Sequence, residues 1–311
     1  MAGIGIDIGS TATKAVVADP SGAIAFKLVI PTGFSSVEVA EQVSCALACE
    51  GFGAGEMPVV ATGYGRVAVP YANKVVTEIT CHARGAAALF GEDGTVIDIG
   101  GQDTKAIGLA GGKVRKFVMN DKCSAGTGRF LEIMADRLGV SQAELARLAA
   151  AGQPTVISNK CTVFAESEVI TLVGKGEPRE NIARGVIDSV VAHVCTLVGQ
   201  VPAAQYHLTG GLCDNEYVRA RLEAELGAPV GSCPDARFAG ALGRGHHRRR
   251  DCRRSVAFLR FYRRRCSPMG CAAFALRFDL RASRARSSSP SMCRALSGCR
   301  SKPVTVISFD R

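Results

Sequence analysis

The sequence contains few aromatic residues and no tryptophan. Aromatic side chains make up 6% of its 311 residues, whereas hydrophobic side chains make up 47%, so any core must be built mainly from Ala, Val, Ile and Leu. A chain of this length can form two lobes, each with a core of its own. No apolar run reaches the roughly 18 residues that a membrane helix needs, and we therefore expect no membrane partner.

The N-terminal residues lack the basic segment and apolar core of a secretory signal, and the chain instead enters a strand at Ile4. Thirteen cysteines are present, but their spacing is not that of a disulfide scaffold. In a reducing compartment, thiols bind a metal, take part in redox chemistry or simply pack. These features predict a cytoplasmic protein.

Positive charge is scarce in most of the chain and concentrated at its C-terminal end. From residue 245 onward there are 16 Arg and one Lys against three Asp, which leaves 21 basic and 25 acidic residues in 1–244. Residues 1–244 therefore give no electrostatic reason to expect a nucleic-acid partner. The tail, 245–311, shows no sustained helical or strand periodicity, which is typical of a disordered or aberrant end such as a frame-shifted C-terminus. A basic arm that binds nucleic acid or anionic membrane is the alternative.

One stretch of the chain occurs twice in register. "GIDIGSTATKA" at Gly5–Ala15 and "VIDIGGQDTKA" at Val96–Ala106 each predict a strand, a glycine turn and a second strand. The residues that the two copies share are Asp7 with Asp98, Gly9 with Gly100, Thr13 with Thr104, and Lys14 with Lys105.

The residue types in this repeat suit a polyphosphate. A glycine turn lets backbone N–H groups approach a phosphate without a Cβ in the way, and the hydroxyls of Ser10, Thr11 and Thr13 can add donors. Asp7 and Asp98 would be repelled by phosphate, but they can hold a hydrated Mg²⁺ that phosphates also bind. Two such hairpins facing each other would hold a polyphosphate from both sides. A purely fold-stabilising role for the glycines is the alternative.

Together with "LTGGLCDN" from Leu208, the two hairpins resemble the actin/Hsp70/sugar-kinase ATPase superfamily. The resemblance implies an α/β fold of duplicated, ribonuclease H-like lobes around a nucleotide cleft. The hairpins then match the motifs phosphate 1 and phosphate 2, "LTGGLCDN" matches the adenosine motif, and "PDARFAGALG" from Pro234 matches the closing segment near the base. The implied ATP/ADP-binding residues are Asp7, Gly9, Ser10, Thr11, Thr13, Lys14, Asp98, Gly100, Gly101, Gln102, Thr104, Lys105, Gly210, Gly211, Asn215 and Gly240.

The repeat also predicts the domain organisation. Residues 1–91 form a first lobe with phosphate 1, and residues 92–244 form a second lobe with phosphate 2 and the adenosine motif. Closing the lobes on ATP would couple the nucleotide state to molecular shape. For catalysis we expect Asp7 and Asp98 around Mg²⁺ and Lys14 or Lys105 near the phosphates. Gln102 and Asp103 are expected near the attacking water.

Two further segments, "MNDKCSAGTGRFLE" and "SNKCTVFAESEVI", each place a cysteine after a lysine and at a predicted helix start. A helix start carries positive partial charge and free N–H groups, which suit an anionic sulfur cluster. Lys122 before Cys123 and Lys160 before Cys161 add positive charge. A [4Fe–4S] cluster needs four thiolates, so two copies of the chain around a two-fold axis would supply the full set.

Other interpretations of these cysteines stay open. A buried, inert thiol is common, and a structural Zn²⁺ is conceivable although the usual C-x₂₋₄-C pair is missing. Cys45 and Cys49 are four residues apart, but their apolar neighbours favour packing. Cys81 and His82 are adjacent and have no evident orienting carboxylate, so a structural place between the lobes is expected.

"ATGYGR" at Ala61–Arg66, "TEITCHARGA" at Thr77–Ala86 and "KCSAGTGRF" at Lys122–Phe130 resemble the BadF/BadG/BcrA/BcrD ATPase family, and the likeness extends over residues 1–244. Within it, the chain resembles the activators of 2-hydroxyacyl-CoA dehydratases. Where that family continues from "GALG" with small residues, this chain turns to "RGHHRRR", so the family's last helix is not expected in the same form.

The resemblance implies a homodimer with one [4Fe–4S] cluster held by Cys123 and Cys161 of each protomer. It also implies a ferredoxin or flavodoxin as electron donor, and transfer of a low-potential electron, with ATP hydrolysis, to a separate dehydratase component. The ATPase component of a benzoyl-CoA reductase is the nearest alternative. A small-molecule kinase on the same fold, or a nucleotide-dependent binding protein that recruits RNA through the tail, are more distant ones.

Overall fold

A computed structural model describes residues 2–53, 55–158 and 161–243, together with a short strand at Thr305–Val306. The predictions for Lys160, for the departure after "GALG" and for the rest of the tail 245–311 lie outside the described residues.

The first half of the chain forms one mixed sheet around the first copy of the repeat. Its strands are β1 (Gly3–Ile8), β2 (Ala12–Ala18), β3 (Ile24–Pro31), β4 (Val59–Gly63) and β5 (Lys74–Val75). The spatial order is β3-β2-β1-β4-β5; β1 to β3 are antiparallel neighbours, and β4 and β5 continue the sheet in parallel. Helix α1 (Ser36–Cys49) covers this sheet and starts where Ser35 accepts a hydrogen bond from the Glu38 amide.

The second sheet repeats this arrangement. Its strands are β6 (Gly94–Ile99), β7 (Thr104–Ala110), β8 (Lys113–Asn120), β9 (Tyr206–Gly210) and β10 (Val230–Gly231). Their order is β8-β7-β6-β9-β10, with the same antiparallel and parallel neighbours as in the first sheet. The duplication seen in the sequence is therefore a duplication of sheet topology. The strand at Thr305–Val306, β11, pairs antiparallel with β3 at the outer edge of the first sheet.

Helices accumulate around the second sheet. They are α2 (Glu78–Phe90), α3 (Gly128–Leu138), α4 (Gln142–Ala151), α5 (Thr162–Gly174), α6 (Arg179–Val198) and α7 (Glu216–Leu226), followed by the single turn α8 (Ala239–Leu242). The apolar face predicted for α3, which includes Phe130 and Met134, is buried. The predicted cap of α4 is present, since Ser141 accepts from the Glu144 amide.

Helix α6 is long and apolar enough to cross a membrane when judged by length and composition alone. The sequence prediction missed this because Arg184 and Asp188 interrupt the apolar run. In the structure, the apolar side chains of α6, among them Val186, Val190 and Val194, lie in the core of the second lobe. Burial of this kind is what a core helix of a two-lobed protein requires.

Helices α2 and α8 connect the two sheets. Ala83 and Ala86 of α2 pack on the second sheet, while α8 returns to the first, where a Cβ on Gly5 would lie 1.8 Å from the Ala241 carbonyl oxygen. The two helices also touch each other, because a Cβ on Gly85 would lie 1.8 Å from the Ala239 carbonyl oxygen. Although the lobe boundary at residues 91/92 stays a prediction, α2 contacts both sheets.

This close approach generates a stability prediction. Gly85→Ala places a methyl group against a backbone carbonyl, so we expect a loss of about 1–3 kcal/mol of unfolding free energy from overpacking, which outweighs the gain in helix propensity. Urea denaturation followed by circular dichroism measures it. Gly174→Ala, in α5, is the matched control, because a Cβ there meets nothing within 4 Å. Equal stability of the two variants would show that α2 and α8 are not packed this closely.

Candidate functional site

The glycine turns of the two repeats meet across the molecule. A Cβ on Gly101, in the turn between β6 and β7, would lie 2.1 Å from Thr11 Oγ1 and 3.6 Å from Ser10 Oγ in the turn between β1 and β2. The turns are close enough that only a residue without a side chain fits at Gly101. The two segments predicted to hold phosphate thus face each other, with Gln102 exposed beside them.

Each turn is preceded by the same buried constellation. Asp7 pairs with Lys14 in the β1–β2 register, and Asp98 pairs with Lys105 in the β6–β7 register. On the parallel side, Asp7 lies beside Thr62 of β4.

In the second sheet the corresponding neighbour of Asp98 is Thr209 of β9. A glycine at positive φ follows each threonine, and its missing Cβ makes room for the carboxylate: a Cβ would lie 2.5 Å from Asp7 Oδ1 at Gly63 and 2.6 Å from Asp98 Oδ1 at Gly210. The sequence analysis missed Gly63, although "ATG" at 61–63 and "LTG" at 208–210 already showed the match.

The two carboxylates differ in their partners. Asp98 Oδ1 lies 3.2 Å from His82 Nε2 and accepts a hydrogen bond from Thr209 Oγ1 at 3.3 Å, while Oδ2 lies 3.5 Å from Lys105 Nζ. Burial by itself would raise the pKa of Asp98, but the charges of His82 and Lys105 outweigh it and hold that pKa well below its usual range. Asp98 is therefore a charged group that is already neutralised from within the protein.

His82 has the orienting carboxylate that the sequence did not reveal. Burial alone would lower its pKa, but the charge of Asp98 reverses the effect and raises that pKa above the ordinary value. Its Nδ1 atom faces the opposite lobe: a Cβ on Gly240 would lie 3.4 Å from this nitrogen and 2.6 Å from Asp7 Oδ2. His82 thus stands between the two lobes, as the sequence predicted, with Gly240 of the closing segment separating it from Asp7.

Lys105 neutralises three carboxylates at once. Its ammonium donates to Glu78 Oε1 and to Asp103 Oδ1, both at 2.8 Å, and also approaches Asp98. Although burial opposes its charge, these three anions raise the pKa of Lys105 above its usual range. Glu78, His82 and Asp98 have the ligand types and spacing of a metal site, but the Lys105 ammonium already supplies a cation to two of them.

Asp7 and Asp103, in contrast, each keep a buried oxygen that accepts no hydrogen bond among the described residues, Oδ1 and Oδ2 respectively. Lys14 Nζ is 3.9 Å from Asp7. Burial raises the pKa of both carboxyl groups. Unpartnered, buried carboxylate oxygens fit a hydrated Mg²⁺, so this geometry favours Asp7 and Asp103 over the predicted pair of Asp7 and Asp98.

The predicted hydroxyl donors divide into two groups. Ser10 and Thr11 lie at the meeting point of the turns, whereas Thr13 Oγ1 is buried and hydrogen-bonded to Thr32 Oγ1 at 2.9 Å. Thr104 is also buried, and its Oγ1 donates to the Gly126 carbonyl oxygen at 2.6 Å. These two hydroxyls hold the surrounding backbone instead of pointing at the turns.

The predicted adenosine motif follows β9. Gly210 ends that strand and Gly211 lies in the turn after it, with the Gly211 amide bonded to the Ile99 carbonyl. Asn215 caps α7 by accepting from the Val218 amide at 3.0 Å. The side-chain oxygen of Asn215 is thus engaged by the helix, while its NH₂ group is a remaining donor.

The two predicted cluster cysteines lie at different kinds of position. Cys161 is the N-cap of α5, at the helix start where it was predicted. The same prediction is wrong for Cys123, because α3 begins only at Gly128. A turn delays the helix: Gly126 has a φ of +79°, and Thr127 Oγ1 donates to the Ser124 carbonyl oxygen.

The segment that contains Cys123 is attached directly to the second glycine turn. The amides of Gly128 and Arg129, which begin α3, donate to the carbonyl oxygens of Gly100 and Gly101, both at 2.9 Å. These amides belong to the first turn of a helix and have no partner within it. The turn predicted to bind phosphate therefore caps the helix that follows the cysteine.

Solved structures with this architecture give the fold class. A ROK-family glucokinase from Streptomyces griseus matches with a TM-score of 0.52 at 18% identity, over 78% of this chain and 97% of that chain. At such low identity the likeness concerns the fold alone. It agrees with the two repeated sheets and confirms the predicted α/β class of actin/Hsp70/sugar-kinase-like lobes.

The chain belongs to the BadF/BadG/BcrA/BcrD ATPase family, whose model matches residues 4–244. The (R)-2-hydroxyglutaryl-CoA dehydratase activating ATPase of Acidaminococcus fermentans is 41% identical over 244 residues, which cover 77% of this chain and 94% of that protein. The crystal structure of component A of that dehydratase matches with a TM-score of 0.74 at 40% identity, over 78% of this chain and 95% of that chain.

Two other relatives are informative. The activator of the 2-hydroxyisocaproyl-CoA dehydratase from Clostridium difficile, solved with bound ADPNP, has a TM-score of 0.73 at 36% identity, over 78% of this chain and 92% of that chain. One polypeptide of the benzoyl-CoA reductase of Thauera aromatica is 36% identical over 174 residues, or 53% of this chain and 62% of that protein.

The repeat supplies a matched pair of variants for testing the charge arrangement. Lys105→Met leaves three carboxylates without their shared cation, so we expect a loss of about 3–5 kcal/mol of unfolding free energy. Lys14→Met removes one weak contact at 3.9 Å and should cost about 1 kcal/mol or less. Urea denaturation at pH 7 compares them, with Lys105→Arg expected to recover most of the loss. Similar losses for both Met variants would contradict the asymmetry between the lobes.

Proposed function

We propose that this protein is the ATP-dependent activator of a 2-hydroxyacyl-CoA dehydratase, and that it acts in the cytoplasm as a homodimer. In this proposal each protomer contributes Cys123 and Cys161 to one shared [4Fe–4S] cluster, and ATP hydrolysis is coupled to single-electron transfer to the dehydratase component. A ferredoxin or flavodoxin is the expected electron donor.

One observation carries the proposal. The carbonyl oxygens of Gly100 and Gly101 accept hydrogen bonds from the first amides of α3, the helix that follows the turn beginning at Ser124, next to Cys123. A change in the phosphate-binding turn therefore acts on the cysteine segment through the backbone itself, with no intervening side chain. A sugar kinase or chaperone on this fold has no need of such a connection to a pair of thiols, and likeness to activators of two dehydratases supports the same assignment.

The nucleotide chemistry follows from the residues around the two turns. Backbone amides at Gly9 and Gly100 suit phosphate oxygens, and Asp7 with Asp103 would hold Mg²⁺ through their unpartnered oxygens. Lys14 is the cation left over for phosphate, because Lys105 is occupied by three carboxylates. Asp103, whose pKa burial raises, is also placed to accept a proton from a water that attacks the terminal phosphoryl group.

The cysteines fit an iron–sulfur cluster in chemistry and in placement. The eight cysteines within the described residues are thiols, not disulfides. Cys123 and Cys161 are both partly exposed, and the residues that follow them are hydrogen-bonded to each other. One chain offers two thiolates here, so a second copy is needed to complete four. When bound, such a cluster supplies a low-potential one-electron carrier.

The competing assignments make different predictions. A polypeptide of a benzoyl-CoA reductase is a relative, and rates of electron transfer to each purified acceptor enzyme would separate that role from the proposed one. A small-molecule kinase is disfavoured by the space between the lobes. The cavity there, lined by Tyr64, Asp103 and Lys105, has about 180 Å³, whereas substrate pockets are usually about 300–1,000 Å³.

Iron content tests the proposal. Protein prepared without oxygen should contain four iron and four sulfide per dimer, by the stoichiometry of a [4Fe–4S] cluster. Cys161→Ala should lose nearly all of the iron, because it removes two of the four thiolates. Cys49→Ala, at the exposed end of α1, is the control and should keep it. Iron-free wild-type monomers that hydrolyse ATP would refute the redox role.

A further inference from the structure

We propose that Ser124 and Thr162 are positioning residues that fix the placement of Cys123 relative to Cys161. The inference rests on the proposed function for its purpose, since those cysteines are the proposed cluster ligands. Its physical content, the distance and orientation of two thiols, can be measured without any cluster.

The observation is a single contact between two segments that are distant in sequence. Ser124 Oγ and Thr162 Oγ1 lie 2.7 Å apart, in hydrogen-bonding contact across 38 residues. Ser124 directly follows Cys123, and Thr162 directly follows Cys161. Because consecutive Cα atoms are about 3.8 Å apart, this one bond limits the separation of the two cysteines.

The use of Thr162 is unusual for a residue in the first turn of a helix. A hydroxyl there commonly bonds to nearby backbone of its own segment, as Thr171 of the same helix does with the Ser167 carbonyl oxygen at 2.9 Å. Thr162 is buried, and its hydroxyl instead reaches the other cysteine segment. The N-cap Cys161 makes no side-chain capping bond, so its sulfur is not engaged by the helix amides.

The Ser124 side of the bond rests on a rigid base. Asn120, at the end of β8, donates from Nδ2 to the carbonyl oxygens of Cys123 at 2.9 Å and Ala125 at 2.8 Å. Its register partner in β7 is Thr104, whose hydroxyl holds the Gly126 carbonyl. Three carbonyls of the turn are thus fixed to the sheet, and Ser124 is presented from a defined position.

On the Thr162 side, α5 has one further tie to this region. Arg137 of α3 forms an ion pair with Glu166 of α5, one turn beyond Thr162. Both ends of the contact therefore belong to α3 and its preceding turn, which the amides of Gly128 and Arg129 attach to the phosphate-2 turn. The Ser124–Thr162 bond is the step by which a movement of that turn would reach α5.

Residues that orient metal ligands change metal retention and spectra when they are altered. Loss of such a partner typically costs about 10–100-fold in affinity or activity. We therefore expect Thr162→Val, which keeps the shape and removes the hydroxyl, to release iron to a chelator about tenfold faster than wild type. The electron paramagnetic resonance spectrum of the reduced cluster should also change. Thr162→Ser restores the hydroxyl and should restore both properties.

The matched control is Thr171→Val. It makes the same substitution in the same helix and removes only a bond internal to α5, so its iron release and spectrum should equal those of the wild type. If Thr162→Val behaved like Thr171→Val in both measurements, the positioning role would be excluded.

A measurement on iron-free protein separates this inference from the proposed function. A short bifunctional thiol reagent should link Cys123 to Cys161 within one chain, detected as the joined peptide by mass spectrometry, and Thr162→Val should slow the linkage severalfold. If wild-type protein bound no iron but linkage still depended on Thr162, the inference would hold and the proposed function would fail. If linkage were equal in both proteins, the inference itself would be overturned.

Discussion

Two backbone hydrogen bonds, from the amides of Gly128 and Arg129 to the carbonyl oxygens of Gly100 and Gly101, connect the two halves of the chemistry in this protein. They satisfy helix-end donors that would otherwise lack partners, and they make a glycine turn the cap of α3. A Cβ on Gly128 would lie 3.1 Å from the Gly100 carbonyl oxygen, so the contact depends on glycine at its centre. The cysteine turn before α3 and the predicted phosphate site therefore cannot move independently.

The duplicated lobes use the same residues for different tasks. In the second lobe, Asp98 is neutralised by His82 and Lys105, and the carboxylate stabilises the interior. In the first lobe, Asp7 has only the distant Lys14 and keeps an unpartnered oxygen. A buried carboxylate without a partner is costly, and a bound cation would relieve that cost. This difference explains why one copy of the repeat is suited to bind Mg²⁺ and the other to hold the lobes together through α2.

The sequence was sufficient for features that depend on local pattern. The two hairpins followed from glycine turns between apolar strands, the buried face of α3 from helical spacing, and the cap of α4 from Ser141. Contacts between distant elements could not be predicted in this way. His82 meets Asp98 only because α2 packs on the second sheet, and Thr162 meets Ser124 only because α5 lies beside the turn before α3. The helix start at Cys123 was mispredicted because Gly126 and Thr127 form a turn that a periodic pattern does not reveal.

Hydrogen exchange tests the central connection most directly. Amide exchange would be followed by mass spectrometry in iron-free protein, with and without Mg²⁺ and a non-hydrolysable ATP analogue. We predict that the nucleotide changes protection in the glycine turns and also in residues 123–130 and 161–166, because the Gly128 and Arg129 amides are bonded to the phosphate-2 turn. A change confined to the glycine turns, with both cysteine segments unaffected, would contradict the account.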